Sequence, residues 1–175
     1  MLNAGISLLS LIDGDVLSAY NAFSVGGLAG IEMHELLIPA VIIVLSLTVS
    51  LILSRRIHML CLGDSLADSL GVKVRALRTV CLICASASAA AVVSFAGLLG
   101  FVGLVVPHIS RRLVGERTSL LLVTSSFVGA VLVILADLLG RVVLAPTEIP
   151  VGVIMALIGA PFFFILLLRR RSDNA

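Results

Sequence analysis

The sequence predicts an all-α protein: a polytopic transmembrane helical bundle of about five membrane helices, with one short extra helix on the cytoplasmic side. Three observations lead there. The 175 residues are 60% hydrophobic and only 13% charged, with a mean hydropathy of +1.24, whereas soluble domains run about 45–50% apolar and about 25% charged. The apolar residues fall into runs near the length of about 20 residues that a bilayer crossing requires. Most of the basic residues are crowded at the ends of those runs and between them. The same hydropathy excludes a disordered chain. A net charge of +2 with no basic face gives no sign of a nucleic-acid binder.

In chain order, Met1 to Ile12 is mildly apolar but lacks a basic leading region and runs into Asp13 and Asp15, so it does not read as a signal peptide. It is expected to be the end of a longer hydrophobic segment. Leu36 to Ser54 is the first full span, with Pro39 near its start and Arg55-Arg56 expected to stop it. Thr79 to Ala96 is the second, rich in Ala and Ser, small residues that let neighbouring helices approach. Leu98 to Leu113 is a shorter third, spaced by Gly100 and Gly103 and bent by Pro107. Ser119 to Ala145 is the fourth and Val151 to Leu168 the fifth, closed by Arg169-Arg170-Arg171.

Charge sets the expected orientation. Arg55, Arg56, Lys73, Arg75 and Arg78 lie in one connection, Arg111, Arg112 and Arg117 in another, and three arginines in the tail. Alternate crossing puts all three clusters on one side, which the positive-inside rule makes cytoplasmic. Residues 1–35, the Gly97 turn and the Ala145 to Pro150 loop fall on the other side. This works only if the short third segment crosses.

The connection from Arg55 to Arg78 is about 24 residues, long for a helix–helix link, so it should carry structure of its own. Gly63-Asp64-Ser65-Leu66-Ala67-Asp68-Ser69-Leu70-Gly71 reads as a complete miniature helix. Asp64 or Ser65 would cap its start, Gly71 would supply a left-handed stop, and Leu66 and Leu70 would share a face. A helix this short must lie against something. Taken alone, it reads as an interfacial helix resting on the membrane.

Its company changes that reading. Gly63–Gly71 with Val72-Lys73-Val74-Arg75, then Gly97-Leu-Leu-Gly-Phe-Val-Gly-Leu-Val-Val-Pro-His108-Ile, Ala136-Asp137-Leu-Leu-Gly-Arg141, Glu148-Ile-Pro-Val-Gly152 and Ile158-Gly-Ala-Pro-Phe-Phe163 follow in one order at one set of spacings. The series resembles the permease subunits of ABC importers for iron–siderophore complexes, haem and cobalamin (vitamin B12), over residues 20–171. The resemblance implies a transport subunit of the cytoplasmic (inner) membrane that is not an enzyme, with hydrolysis by separate cytoplasmic ATPase subunits. It also implies an extracytoplasmic substrate-binding protein and a second permease copy. Gly63, Asp64, Ser65, Leu66, Ala67, Leu70 and Gly71 correspond to the coupling helix that docks into the ATPase. Leu66, Ala67 and Leu70 would be its buried contacts and Asp64 its anchor. Such a lever would pass rigid-body motion to the flanking spans. Ala22 to Gly30 resembles the external turn before the sixth span. Family members have about ten spans in two inverted halves, and only the second half is visible, so residues 1–175 are expected to form one membrane domain, with 55–78 as its coupling loop. The chain then works with a missing N-terminal half, or is a truncated or split-gene fragment without independent transport.

Other residues are read beside that frame. Asp137 and Arg141 are the charges inside the fourth span, with Arg141 roughly 33 Å from Ser119 and thus near the outer interface. They can be an i,i+4 ion pair, and the resemblance implies that Arg141 also receives an acidic knob of the binding protein; the two readings are compatible. His108 is read as bonding a carbonyl freed by Pro107, since a lone histidine is not a metal site; His34 and His58 are read as interfacial. Gly26 and Gly30 suggest a simple turn, and Gly97, Gly100 and Gly103 close packing. Ser86, Ser88 and Ser94 are expected to bond back to their own helix. Cys61, Cys81 and Cys84 are read as small buried hydrophobes, the apolar run disfavouring a redox Cys-x-x-Cys. No phosphate-cradling G-x-x-x-x-G-K-[ST] and no G-x-S-x-G or H-E-x-x-H occurs, so neither catalytic residues nor a cofactor or metal site are expected.

Overall fold

The computed structural model describes residues 14–143 and 147–172. Among them the chain forms eight helices and no strand: α1 (Gly14–Val25), α2 (Met33–Ile52), α3 (Ser54–Leu60), α4 (Asp64–Ser69), α5 (Val74–Ala96), α6 (Val102–Val114), α7 (Thr118–Val142) and α8 (Val151–Ser172). The segment Met1 to Ile12 and the end of the expected fourth span at Ala145 lie outside the described residues. Three helices, α2, α5 and α7, are long and apolar enough to cross a membrane, and α8 carries a shorter apolar stretch, Val151–Leu166.

The span limits shift for physical reasons. Arg55-Arg56 does not stop the first helix. Leu53 stays in the right-handed region (φ −84°, ψ −2°), its amide donates to the Val49 carbonyl at 3.0 Å, and Ile57 donates back to Leu53 at 2.9 Å, so α3 continues α2 across a slight break. Arginine is a good helix former, and nothing in Arg-Arg ends a helix once it leaves the apolar layer. The helix ends at Leu60, and the chain turns away at Gly63, whose φ of +114° suits glycine. The second span starts earlier than expected, at Val74. The third helix starts later, at Val102, preceded by an irregular stretch in which Phe101 has φ +63°. Its 13 residues cover roughly 20 Å, and it is not among the described helices long and apolar enough to cross a membrane.

Packing falls into two groups. α2 lies along α5 in the broadest helix pair, while α6, α7 and α8 pack together; α7 touches α2 and α3 and joins the groups. One apolar cluster (Ala136, Val151, Ile154 and Met155, with Leu28 and Leu99 against it) sits at the end where α7 hands over to α8. The other (Ala67, Val72 and Leu77, against Leu53, Ile57 and Leu60) sits at the arginine-rich end. Between them the helices are little covered: 11%, 11% and 6% of the apolar windows of α2, α5 and α7 are buried. Surface this apolar needs lipid or further helices against it.

The first end is tied by backbone. Leu98 donates to Phe23 O (3.0 Å), Gly27 to Ala96 O (3.0 Å), Gly152 to Gly26 O (3.3 Å) and Ile149 to Gly140 O (3.0 Å). Such approach leaves no room for a side chain. A Cβ on Gly97 would stand 2.5 Å from Phe23 O, and Cβ atoms on Gly152 and Gly140 would strike the carbonyl oxygens of Val25 and Ile149. Gly26 is therefore more than a turn, since its Cβ would meet Leu98 O at 2.8 Å, and Ala22 to Val25 belong to α1 rather than to a turn. Of the three glycines expected to pack closely, only Gly97 does; Gly100 and Gly103 face open space.

Candidate functional site

The short helix predicted in the arginine-rich connection exists, as α4. Its stop is built as expected. Gly71 has φ +79°, its amide donates to Asp68 O (2.9 Å), and the Val72 amide reaches Ala67 O (3.0 Å). This is a Schellman stop, and its usual hydrophobic pair is Ala67 with Val72. Its start differs. The N-cap is Gly63, and no side chain, neither Asp64 nor Ser65, caps the free amides. Asp64 turns instead to α5, where Arg78 Nη2 donates to both Asp64 oxygens at 3.0 Å. A guanidinium one turn into the next helix offers a charge-assisted partner that a lone backbone amide does not match.

Ala67 is 0% exposed and packs into the chain's own cluster with Val72 and Leu77. It cannot also be a surface contact, which corrects the expectation that it docks. Leu66 (55% exposed) and Leu70 (62%) face away from the body. α4 is thus held from behind by Ala67 and Val72 and clamped sideways by Asp64–Arg78, with two leucines outward. An open groove between α4 and the first turns of α5 borders it, lined by Asp64, Asp68, Lys73, Arg75 and Arg78. Sequence reasoning placed Arg78 in a charge cluster without its partner, because the turn that brings residue 78 beside residue 64 is a tertiary event.

At the opposite end, Arg141 Nε donates to Asp137 at 2.8 Å, the i,i+4 pair expected, and Arg141 Nη1 also stands 3.7 Å from Glu148. The Arg141 side chain is 45% exposed. It borders a cleft of about 370 Å³ lined also by Phe23, Gly26, Asp137, Glu148 and Pro150. Glu148 is visible in the sequence only as the start of Glu148-Ile-Pro-Val-Gly152, without its pairing to Arg141, since the α7–α8 connection alone folds it back.

The remaining residues sort as follows. His108 makes an edge-to-face contact with Phe162 at 5.6 Å and bonds no carbonyl. Ser86 bonds Leu82 O and Ser94 bonds Ala91 O (2.8 Å), as expected. Ser88 does not bond its helix; it lines a cavity of about 430 Å³ with Ser46, Ser50, Cys81, Cys84 and Ser126. Cys81 and Cys84 are part-buried there, whereas Cys61, just after α3, is exposed, against the expectation that it is buried. Among the described residues no group of three or more His, Cys, Asp or Glu side chains could hold a metal ion.

Residues 1–169 match the FecCD transport family. The chain is 39% identical over 154 residues to the Fe(3+)-citrate import system permease protein YfmE of Bacillus subtilis, covering 88% of this chain and 46% of that one. It is 38% identical over 167 residues to the iron(3+)-hydroxamate import system permease protein FhuB of B. subtilis (95% and 44%). It is 35% identical over 173 residues to the hemin transport system permease protein HmuU of Yersinia pestis (98% and 52%). A solved ABC transporter described as metal-chelate type, in an inward-facing conformation, superposes with a TM-score of 0.86 at 34% identity, over 95% of this chain and 55% of that one. The chain thus spans about half the length of the relatives it matches. With its helical bundle, its membrane-length helices and these relatives together, this multi-pass membrane chain belongs to the FecCD transport family.

Proposed function

We propose that the chain is the second half of a permease subunit of an ABC importer in the cytoplasmic (inner) membrane, with no catalytic role of its own. It works with the half that its relatives also carry, on the same or a separate polypeptide, and with a second permease copy. Separate cytoplasmic ATPase subunits drive it and an extracytoplasmic binding protein delivers the cargo. The cargoes named for its relatives, Fe(3+)-citrate, iron(3+)-hydroxamate and hemin, favour an iron chelate or haem over a cobalamin-type complex. The alternative, a truncated or split-gene fragment without independent transport, is favoured only by the half-length match.

One observation carries the proposal: α4 is rigidly backed yet presents Leu66 and Leu70 outward. A passive interfacial helix would gain nothing from a Schellman stop, a buried Ala67 and a salt bridge to α5. A lever does, because it must move as one body with α5. Asp64 then acts as anchor, by holding Arg78, and Gly63 and Gly71 as the bends at either end. At the far end, half-exposed Arg141 is the docking point for an acidic group of the binding protein, competing with Asp137 and Glu148 for the guanidinium.

The test is co-expression with a candidate ATPase and first-half polypeptide, followed by co-purification. Leu66→Asp with Leu70→Asp should lose the ATPase, at least tenfold in recovery, while α4 and the melting temperature in detergent are unchanged; full recovery would overturn the coupling assignment. Arg141→Glu should abolish capture of the binding protein without touching the ATPase. If capture persists while the fold weakens, Arg141 is an ion-pair residue and nothing more.

A further inference from the structure

At the arginine-rich end, away from α4, the N-terminus of α7 meets the start of α3. Ser54, Arg55, His58, Arg117, Thr118 and Ser119, with Met59 as the apolar wall, line a pocket of about 300 Å³ there. His58 Nδ1 stands 3.3 Å from Thr118 Oγ1, which bridges α3 to α7 and fixes the pocket's shape. Arg55 and Arg117 are exposed and, among the described residues, neither forms an ion pair. Two guanidinium groups, an imidazole and three hydroxyls thus converge on one concavity with no carboxylate lining it. That set suits an anion of several oxygens, since the two guanidinium groups are cationic and offer donors only, and the hydroxyls can donate to phosphate oxygens beside them.

Its depth says where the anion comes from. Ser54 follows the last apolar turn of α2, and Thr118 opens the apolar run of α7. Both mark the edge of the hydrocarbon layer, where lipid phosphates lie. α3 runs on from Arg55 to Leu60 before α4 begins, roughly 8 Å further along the helix, so the pocket sits at the lipid surface and the coupling helix beyond it. Basic pockets between membrane helices at this level take phospholipid headgroups.

We propose that this pocket binds the phosphate of an anionic lipid headgroup, pinning the α3–α7 junction to the inner leaflet. The site is independent of ATPase docking, and its failure would leave the coupling reading untouched. The test uses the full chain in mild detergent, titrated with short-chain phosphatidylglycerol and phosphatidylcholine and read by native mass spectrometry. The chain should retain phosphatidylglycerol at least about tenfold better than phosphatidylcholine. Arg55→Gln with Arg117→Gln should erase the preference, and the uncharged Thr118→Val should weaken it, both with unchanged melting temperature. Arg111→Gln with Arg112→Gln removes the same charge from the same end outside the pocket and should keep the preference. Equal loss in both arginine pairs would reduce the effect to general surface charge and overturn the site. Displacement of the lipid by millimolar inorganic phosphate would make it a site for a soluble anion. If the Arg55 and Arg117 variant keeps its lipid preference but loses the ATPase, the face belongs to a protein partner and the proposal fails.

Discussion

At the residue scale, much of the tertiary structure is decided by atoms that are missing. Gly152 carries no Cβ, so the Val25 carbonyl lies where one would be, and the neighbour is backbone and cannot step aside. Gly152→Ala should therefore cost at least about 1–3 kcal/mol, seen as a clear fall in the melting temperature in detergent. Gly100→Ala, with nothing within 4 Å and no positive φ, should leave it nearly unchanged. An equal response of the two would refute the close-packed end. Gly159 shows the same logic with a side chain. A Cβ there would strike Phe101, the one non-glycine described residue with positive φ, whose ring is laid against α8. Glycines are visible in the sequence, but which of them face a neighbour is not. Gly97, Gly100 and Gly103 look alike in sequence, but only Gly97 has a positive φ (+68°) and meets the backbone of α1.

At the element scale, α4 depends on a few contacts behind it. Leu77 is 6% exposed and closes the cluster with Ala67 and Val72. Leu77→Ala should cost about 2–5 kcal/mol, and should free the 61–73 connection first, seen as faster proteolysis there before the bundle melts. Arg78→Ala should change global stability by less than about 1 kcal/mol, because the Asp64–Arg78 pair is some 60% exposed and screened by solvent. Its loss would tell in ATPase recovery rather than in melting. The helix, its glycine stop and the outward leucine pair were legible from residues 63–71, since each is a local property of nine consecutive residues. Asp64's partner was not, and neither was Ala67's burial, because both lie on other elements.

At the scale of the whole molecule, the long helices show apolar sides that their own bundle leaves bare. The expected topology can be checked directly. With Cys61, Cys81 and Cys84 replaced by Ser, Ser69→Cys and Ala29→Cys should react with a membrane-impermeant maleimide from opposite faces of a vesicle; reaction from one face would break the alternate-crossing arrangement. By itself, the sequence determined that this is a helical membrane chain, where its apolar runs lie, which end is basic and which family it resembles, because hydropathy, charge and short motifs are written in consecutive residues. The tertiary structure alone decided that α3 prolongs α2 past two arginines, that four backbone segments meet at glycines, that Arg141 is shared with Glu148 and that His58 joins Thr118. Each of these depends on how chain segments far apart in sequence are brought within bonding distance, and neither local propensity nor hydropathy carries that information.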